Sequence, residues 1–193
     1  MPFLTSPVLT PGALARVPQP ALPAAGGTLL RPWRPEDAPA VHAAFEDPVL
    51  RQWHGRSCES AEEAAGWIAQ WRGGWADERD AQWAVVDEGT DELLGRVALR
   101  RIVLCDGVAE IAYWTVAGAR GRGVALSAAT ALTHWAFEEI GFHRLELMHA
   151  LANPASCRVA GKAGFALEGT KRSAYLHQDG WHDMHLHARV RGD

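Results

Sequence analysis

A chain of 193 residues, 48% hydrophobic and 22% charged, has room for one full-sized core and the composition of a soluble globular protein. Its formal charge of −4 argues against a nucleic-acid binder, which would carry a basic surplus. Three cysteines, Cys58, Cys105 and Cys157, fit neither a disulfide framework nor a zinc-site spacing and point to reduced thiols in the cytoplasm, and no run is apolar and long enough for a membrane span.

Residues 1–26 are rich in proline and alanine with little periodicity, and read as an extended arm lying on the body or on a neighbouring subunit. Residues 27–193 read as one domain. Thr28 to Trp33 forms a first strand, and Pro35-Glu36-Asp37 opens a helix running to Glu46. Asp47-Pro48 breaks it, leaving residues 48–58 as a loop with Trp53, His54 and Arg56. Ser60 to Glu63 is a capping box, and Ala64, Trp67, Ile68 and Trp71 give a second amphipathic helix that Gly73-Gly74 ends. Strands follow at Gln82–Asp87, at Leu93–Leu104 with a bulge near Gly95, and at Ala109–Val116 after an Asp106-Gly107 hairpin turn. A helix over Val124–Ile140 stops at Gly141, and Arg144–Ala150 is a strand. Asn153-Pro154 caps a short helix ending at Gly164. A strand region from Leu167 and a strand over Trp181–Val190 meet at a His177–Gly180 turn. The order predicts an α/β (α+β) domain with one mixed sheet and helices on both faces.

The stretch Arg120-Gly121-Arg122-Gly123-Val124-Ala125 joins a strand to a helix. Glycines let a ligand approach the backbone, the free amides of the first helical turn favour an anion, and two arginines add forked positive charge. It is not a Walker A loop, since no Gly-Lys-Ser/Thr follows, and the spacing is not that of a dinucleotide fingerprint. On these residues alone, an anion site and a plain glycine-rich turn stand equal.

The chain resembles the GNAT superfamily of N-acyltransferases, and within it the RimJ/RimL-type branch. Arg120, Gly123 and Ala125 match the cofactor signature Q/R-x-x-G-x-G/A. Glu110-Ile111-Ala112-Tyr113-Trp114 is close to E-I-G-Y-W, and Asn153 to Ser156 followed by Ala163 to Gly169 resembles N-x-x-S…G-F-x-x-E-G. Leu30-Arg31-Pro32 and Glu36-Asp37-Ala38 resemble the N-terminal pattern, so the likeness spans roughly residues 28–190. It implies a mostly antiparallel, twisted sheet and an acetyl-CoA-dependent N-acetyltransferase acting on a protein N-terminus or a small amine; hydropathy and charge lead to no membrane or nucleic-acid partner being expected. A homodimer stays open. A GNAT-fold module that binds acyl-CoA without turnover, and a nucleotide-binding regulatory domain, are the competing readings.

The resemblance assigns the diphosphate of coenzyme A to the amides of Gly121, Arg122, Gly123, Val124 and Ala125, with Arg120 a cofactor-binding residue at the start of the signature. The pantetheine arm goes along Trp114 to Val116, with an oxyanion donor near Trp114. Asn153 either contacts that arm or simply caps its helix. An alkylamine, with a pKa of about 10, must lose a proton before it attacks. Glu110 is the candidate general base; its other reading is an ion pair with Arg100 or Arg101. Ser156 sits where relatives place a hydroxyl near the sulfur, and hydrogen bonding to the thiolate or capping at N3 are its two roles. Tyr175 is a second proton donor or an acceptor-pocket wall, a wall that also includes Trp53. His185 and His187 share a strand face with Asp183, and with no third ligand evident in the sequence, no metal site is assigned.

Overall fold

The computed structural model describes residues 4–193. Along them lie β1 (Leu22–Ala24), β2 (Thr28–Pro32), α1 (Ala38–Ala44), α2 (Pro48–His54), α3 (Ala61–Ala76), β3 (Ala81–Asp87), β4 (Leu93–Val103) and β5 (Val108–Thr115). Then come α4 (Val124–Trp135), β6 (Arg144–Ala150), α5 (Pro154–Lys162), β7 (Ala166–His177) and β8 (Gly180–Val190). One sheet forms in the order β1-β2-β3-β4-β5-β6-β8-β7, antiparallel throughout apart from the parallel pair β5–β6.

Helices cover both faces. On one, Val41, Phe45, Leu50, Ala64 and Ile68 of α1–α3 pack with Trp33, Ala84, Val86 and Trp114. On the other, Val124, Ala128, Leu132, Trp135 and Ala160 of α4 and α5 pack with Trp83, Val97, Leu99, Ile111, Leu145 and Leu147. The alternation of Trp83 and Val85 against Ala84 and Val86 follows from the two-residue period of a strand buried on both sides.

The sequence-based expectations for residues 48–58 and for Gly73-Gly74 require correction. Asp47-Pro48 starts a helix as well as ending one: the Asp47 side chain accepts a hydrogen bond from the Val49 amide at 3.0 Å and Pro48 occupies N1, so α2 stands where a loop was expected. α3 runs through Gly73-Gly74 to Ala76, which seats Trp75 against Trp83 and Trp135. A Cβ on Gly74 would lie 2.6 Å from an Asp80 carboxylate oxygen, a side-chain end that can turn aside. The helix expected over Val124–Ile140 is α-helical to Trp135 and closes with one π-helical turn over Ala136–Ile140.

Residues 4–27, the described part of the proline-rich segment before β2, lie on the body, and residues 1–3 of the expected arm lie outside the described residues. β1 adds an edge strand to β2, which period-based reading of residues 1–26 had no pattern to find. Leu9 and Leu14 are buried, and the Glu78 carboxylate accepts from the amides of Gly12 and Leu14 at 2.6 and 2.7 Å. The indole N–H groups of Trp75 and Trp83 donate to the carbonyls of Val17 and Pro20. At the start of the domain, Arg31 donates to both oxygens of Asp37 at 2.9 and 2.8 Å and to Asp91 at 2.7 Å. That bonding to Asp37, against the cost of burial, raises the guanidinium pKa above its ordinary value.

The β4–β5 pairing sets the position of Trp114. The expected irregularity near Gly95 is present as a register shift between Val85/Val86 and Gly95/Leu93. A Cβ on Gly95 would sit 2.3 Å from the Trp114 carbonyl oxygen, so only glycine permits this approach. Gly95→Ala is expected to destabilise the fold by about 1–3 kcal/mol through overpacking, whereas Gly118→Ala, with open space around it, stays within about 0.5 kcal/mol. Urea denaturation of the two variants measures both.

Candidate active site

β5 and β6 pair from Val108↔Arg144 to Ile111↔Leu147, and the pairing stops there. Residues 112–115 of β5 continue with β4 on one side and no strand on the other. The Val116 amide donates to the Leu94 carbonyl at 3.0 Å. Antiparallel alternation therefore turns the amide of Trp114 toward β4 as well, and leaves those of Tyr113 and Thr115 facing the gap. These two amides are the backbone donors a sequence cannot reveal, because orientation depends on which pairs are hydrogen-bonded.

A cleft of about 430 Å³ occupies the gap. Its wall includes Trp114 and Thr115 of β5, Arg120, Gly121, Gly123, Val124 and Ala125 of the turn and α4, and Asn153 and Ser156 of α5. Of the proposed cofactor residues, Val116 and Arg122 are not part of this wall: Val116 packs between the two cores and Arg122 points to solvent.

Among the described residues, the N–H groups of residues 121–126 donate to no backbone or side-chain acceptor; the first bonded amide is Ser127, 2.9 Å from the Gly123 carbonyl. α4 has no side-chain cap, and its N-cap, Gly123, has φ 82°. Gly121 has φ 75°. Uncapped amides at the positive end of a helix dipole are an anion-binding arrangement. The Arg120 side chain is ion-paired with Asp47, the N-cap of α2, so it ties the turn to that helix.

A second cavity of about 140 Å³ adjoins the first. Trp53, His54, Tyr113, Asn153 and Ser156 line both, so the two meet at these side chains. Arg96, Arg100, Glu110, Tyr175 and His177 line the second alone. Among the described residues, Glu110 is the only carboxylate on either wall. It is 5% exposed, with Oε1 2.5 Å from Arg100 and Oε2 2.9 Å from Arg101, so the ion-pair arrangement is realised and involves both arginines. A carboxylate has about four lone-pair sites, so two guanidinium contacts leave acceptor capacity.

Asn153 caps α5, its Oδ1 accepting from the Ser156 amide at 3.2 Å, while its side chain also reaches the cleft wall. Tyr113, not singled out from the sequence, donates its hydroxyl to the Ser156 carbonyl at 3.4 Å, and burial pushes its pKa up to about 12. Trp53 of α2 makes edge contacts with His177 and His182. Tyr175 lies 5.4 Å from the His177 ring. The pairing of charge in this region is uneven. Arg96 is 5% exposed with no carboxylate partner, stacked 5.1 Å over Trp71, and burial lowers its pKa to about 9. Its Nη1 donates to His54 Nε2 at 3.3 Å, which places the His54 proton on Nδ1.

The family model described as acetyltransferase (GNAT) domain matches residues 28–166. The chain is 26% identical over 165 residues to the uncharacterized N-acetyltransferase YoaA of Bacillus subtilis, covering 84% of this chain and 93% of that protein. It is 34% identical over 100 residues to the ribosomal-protein-serine acetyltransferase of Escherichia coli, covering 52% of this chain and 56% of that one. The solved structure of RimL, a ribosomal L7/L12 α-N-protein acetyltransferase in complex with coenzyme A, superposes with a TM-score of 0.78 at 22% identity over 89% of this chain and 98% of that one.

Burial, with the nearby charge of Arg96, lowers the His54 pKa from 6.5 to about 3. Between those values the unfolded chain binds a proton that the folded one refuses, so stability falls as pH drops below 6.5. The expected loss from His54 is about 2 kcal/mol between pH 6.5 and pH 5. His54→Gln flattens that part of the profile, as urea melts at the two pH values will show.

Proposed function

The chain belongs to the GNAT acetyltransferase family, and from that premise we propose that it transfers an acetyl group from acetyl-CoA to a primary amine. The observation that carries this reading is the run of unbonded amides at residues 121–126, opening on a cleft that continues along the free side of β5. The donor set fits a diphosphate followed by an extended, amide-bearing arm: backbone N–H groups at a helix start for the first, an unpaired strand side for the second. When bound, acetyl-CoA supplies the thioester whose acetyl group passes to the amine nitrogen, with coenzyme A thiol leaving.

The remaining chemistry falls to side chains where the two cavities meet. Glu110 takes a proton from the incoming ammonium, directly or through water, while Arg100 and Arg101 hold the carboxylate in place. The amides of Tyr113 and Thr115 face the side on which negative charge develops on the carbonyl oxygen. Ser156 hydrogen-bonds the departing sulfur, and Asn153 steadies the arm while capping α5. Trp53 and Tyr175 bound the acceptor side. For the acceptor we favour a protein N-terminus, supported by relatives named as ribosomal-protein acetyltransferases, over a free small amine. Three free thiols suit the reducing cytoplasm.

The double ion pair of Glu110 favours one other reading, a module that binds acyl-CoA without turnover. Release of free thiol from acetyl-CoA in the presence of amine-terminated peptides separates the two. Glu110→Gln is expected to lower kcat at least about a hundredfold at neutral pH, with partial recovery at high pH where the amine loses its proton unaided, and with unchanged coenzyme A affinity. Equal turnover removes Glu110 as base. Gly123→Val puts a β-branched residue at φ 82° and is expected to weaken coenzyme A binding at least about tenfold by calorimetry. Unchanged affinity removes the turn as the diphosphate site.

A further inference from the structure

Behind α5, on the sheet face opposite α1–α3, three imidazoles and a thiol converge. His149 on β6 stands directly across from His185 on β8, and His187 follows two residues along β8 on the same face. Cys157 comes from α5. Each of the four offers one donor atom, and these atoms all lie within 4.8 Å of one another. The sequence shows His185 and His187 as neighbours; the pairing of β6 with β8 and the placement of α5 add His149 and Cys157.

The hydrogen bonds decide what the cluster can hold. His149 Nδ1 lies 2.9 Å from the Ala150 carbonyl and His187 Nδ1 lies 3.2 Å from the Phe165 carbonyl. A carbonyl only accepts, so both Nδ1 atoms carry the proton, and each Nε2 of a neutral ring presents a lone pair. Those two Nε2 atoms face each other at 3.2 Å. Two lone pairs at that distance repel unless something electrophilic lies between them. One extra proton would serve that pair alone and engage neither His185 nor Cys157. A single cation serves all four donors.

We propose that His149, His185, His187 and Cys157 form a tetrahedral zinc site. An edge between two nitrogens in such a shell is about 3.3 Å, given Zn–N bonds of about 2.0–2.1 Å, close to the 3.2 Å observed between His149 and His187. The widest pair closes by roughly 1 Å, a side-chain torsional adjustment, to reach the corresponding edges. Backbone carbonyls holding the second ring nitrogen are the usual outer support of a metal-bound histidine, and two of the three histidines have them. Nitrogen and thiolate ligands without a carboxylate select zinc over magnesium or calcium. With all four positions filled by protein, the site is structural: it pins α5, and so Asn153 and Ser156 at its first turn, to β6 and β8. The proposal does not depend on which amine is acetylated.

The test uses untagged full-length protein stripped with chelator and titrated with zinc chloride. Binding of one zinc per chain by calorimetry and metal analysis, with a rise in Tm, is expected. Cobalt(II) in place of zinc gives a thiolate-to-metal charge-transfer band that Cys157→Ser abolishes. Cys157→Ser and His185→Gln each weaken zinc binding at least about tenfold, even outer-shell changes costing that much at metal sites. Cys157 and His185 are only half-buried, so these variants are expected to fold, which circular dichroism of the metal-free forms checks. No saturable zinc binding, or affinity unaltered in both variants, overturns the site.

Discussion

The parting of β5 from β6 beyond Ile111 is the constraint from which the rest of the molecule takes its shape. Two parallel strands begin as neighbours and then separate, which strips the far half of β5 of one hydrogen-bonding side. Backbone groups cannot be left dry and unpaired without a cost of about 1–3 kcal/mol each, so this edge must face water or a ligand. Parallel strands also send their following helices off from the same end of the sheet. The first turn of α4 and the first turn of α5 consequently border one cleft, each with the positive end of its dipole toward it. The break in pairing thus brings an unpaired strand edge and the starts of both helices to one cleft.

What keeps the break in place is packing on both faces. Trp33, Phe45, Trp67, Trp71 and Trp114 form a connected aromatic group under α1–α3. Rings of this size bury large apolar areas and prefer tilted or edge contacts, which set orientation as well as adhesion. Trp75, Trp83 and Trp135 do the same on the other face and receive the N-terminal segment through two indole hydrogen bonds. The many tryptophans are therefore mostly core, and Trp53 is the one whose ring stands beside both cavities.

The electrostatics divide the two cavities. The larger one offers backbone amides to an anion, a recognition that needs no titrating group. The smaller one gathers Arg96, Arg100 and Glu110, with only one carboxylate to balance them. Arg96 is left stacked on Trp71 and donating to a histidine, a cation buried without its counter-charge. Such a group is costly where it lies, and its Nε, buried and without a partner, keeps a donor free for a carbonyl or carboxylate.

Local patterns carried much of this. The alternation of strands, the capping box at Ser60–Glu63, the asparagine cap of α5 and the glycine-arginine turn are written in neighbouring residues, because each depends on interactions within one turn or one strand. α2 is equally local, since Asp47-Pro48 is a cap and N1 as well as a break. β1 was not, since an edge strand of three residues exists only by pairing with β2. The two roles weighed for Glu110 could not be separated from the sequence, because which arginines reach it depends on the twist of the β4–β5 hairpin around Arg101, whose φ is +51°.

The chain by itself determined most of the element types, the family and the turn that opens α4, all matters of short-range residue chemistry. Only the tertiary structure decided that β5 stops pairing at Ile111, that Tyr113 and Thr115 turn their amides into the gap, and that His149 and Cys157 join His185 and His187. Those facts depend on strand register and on where a helix lands on the sheet, and register is a relation between segments far apart in the chain that no single segment encodes.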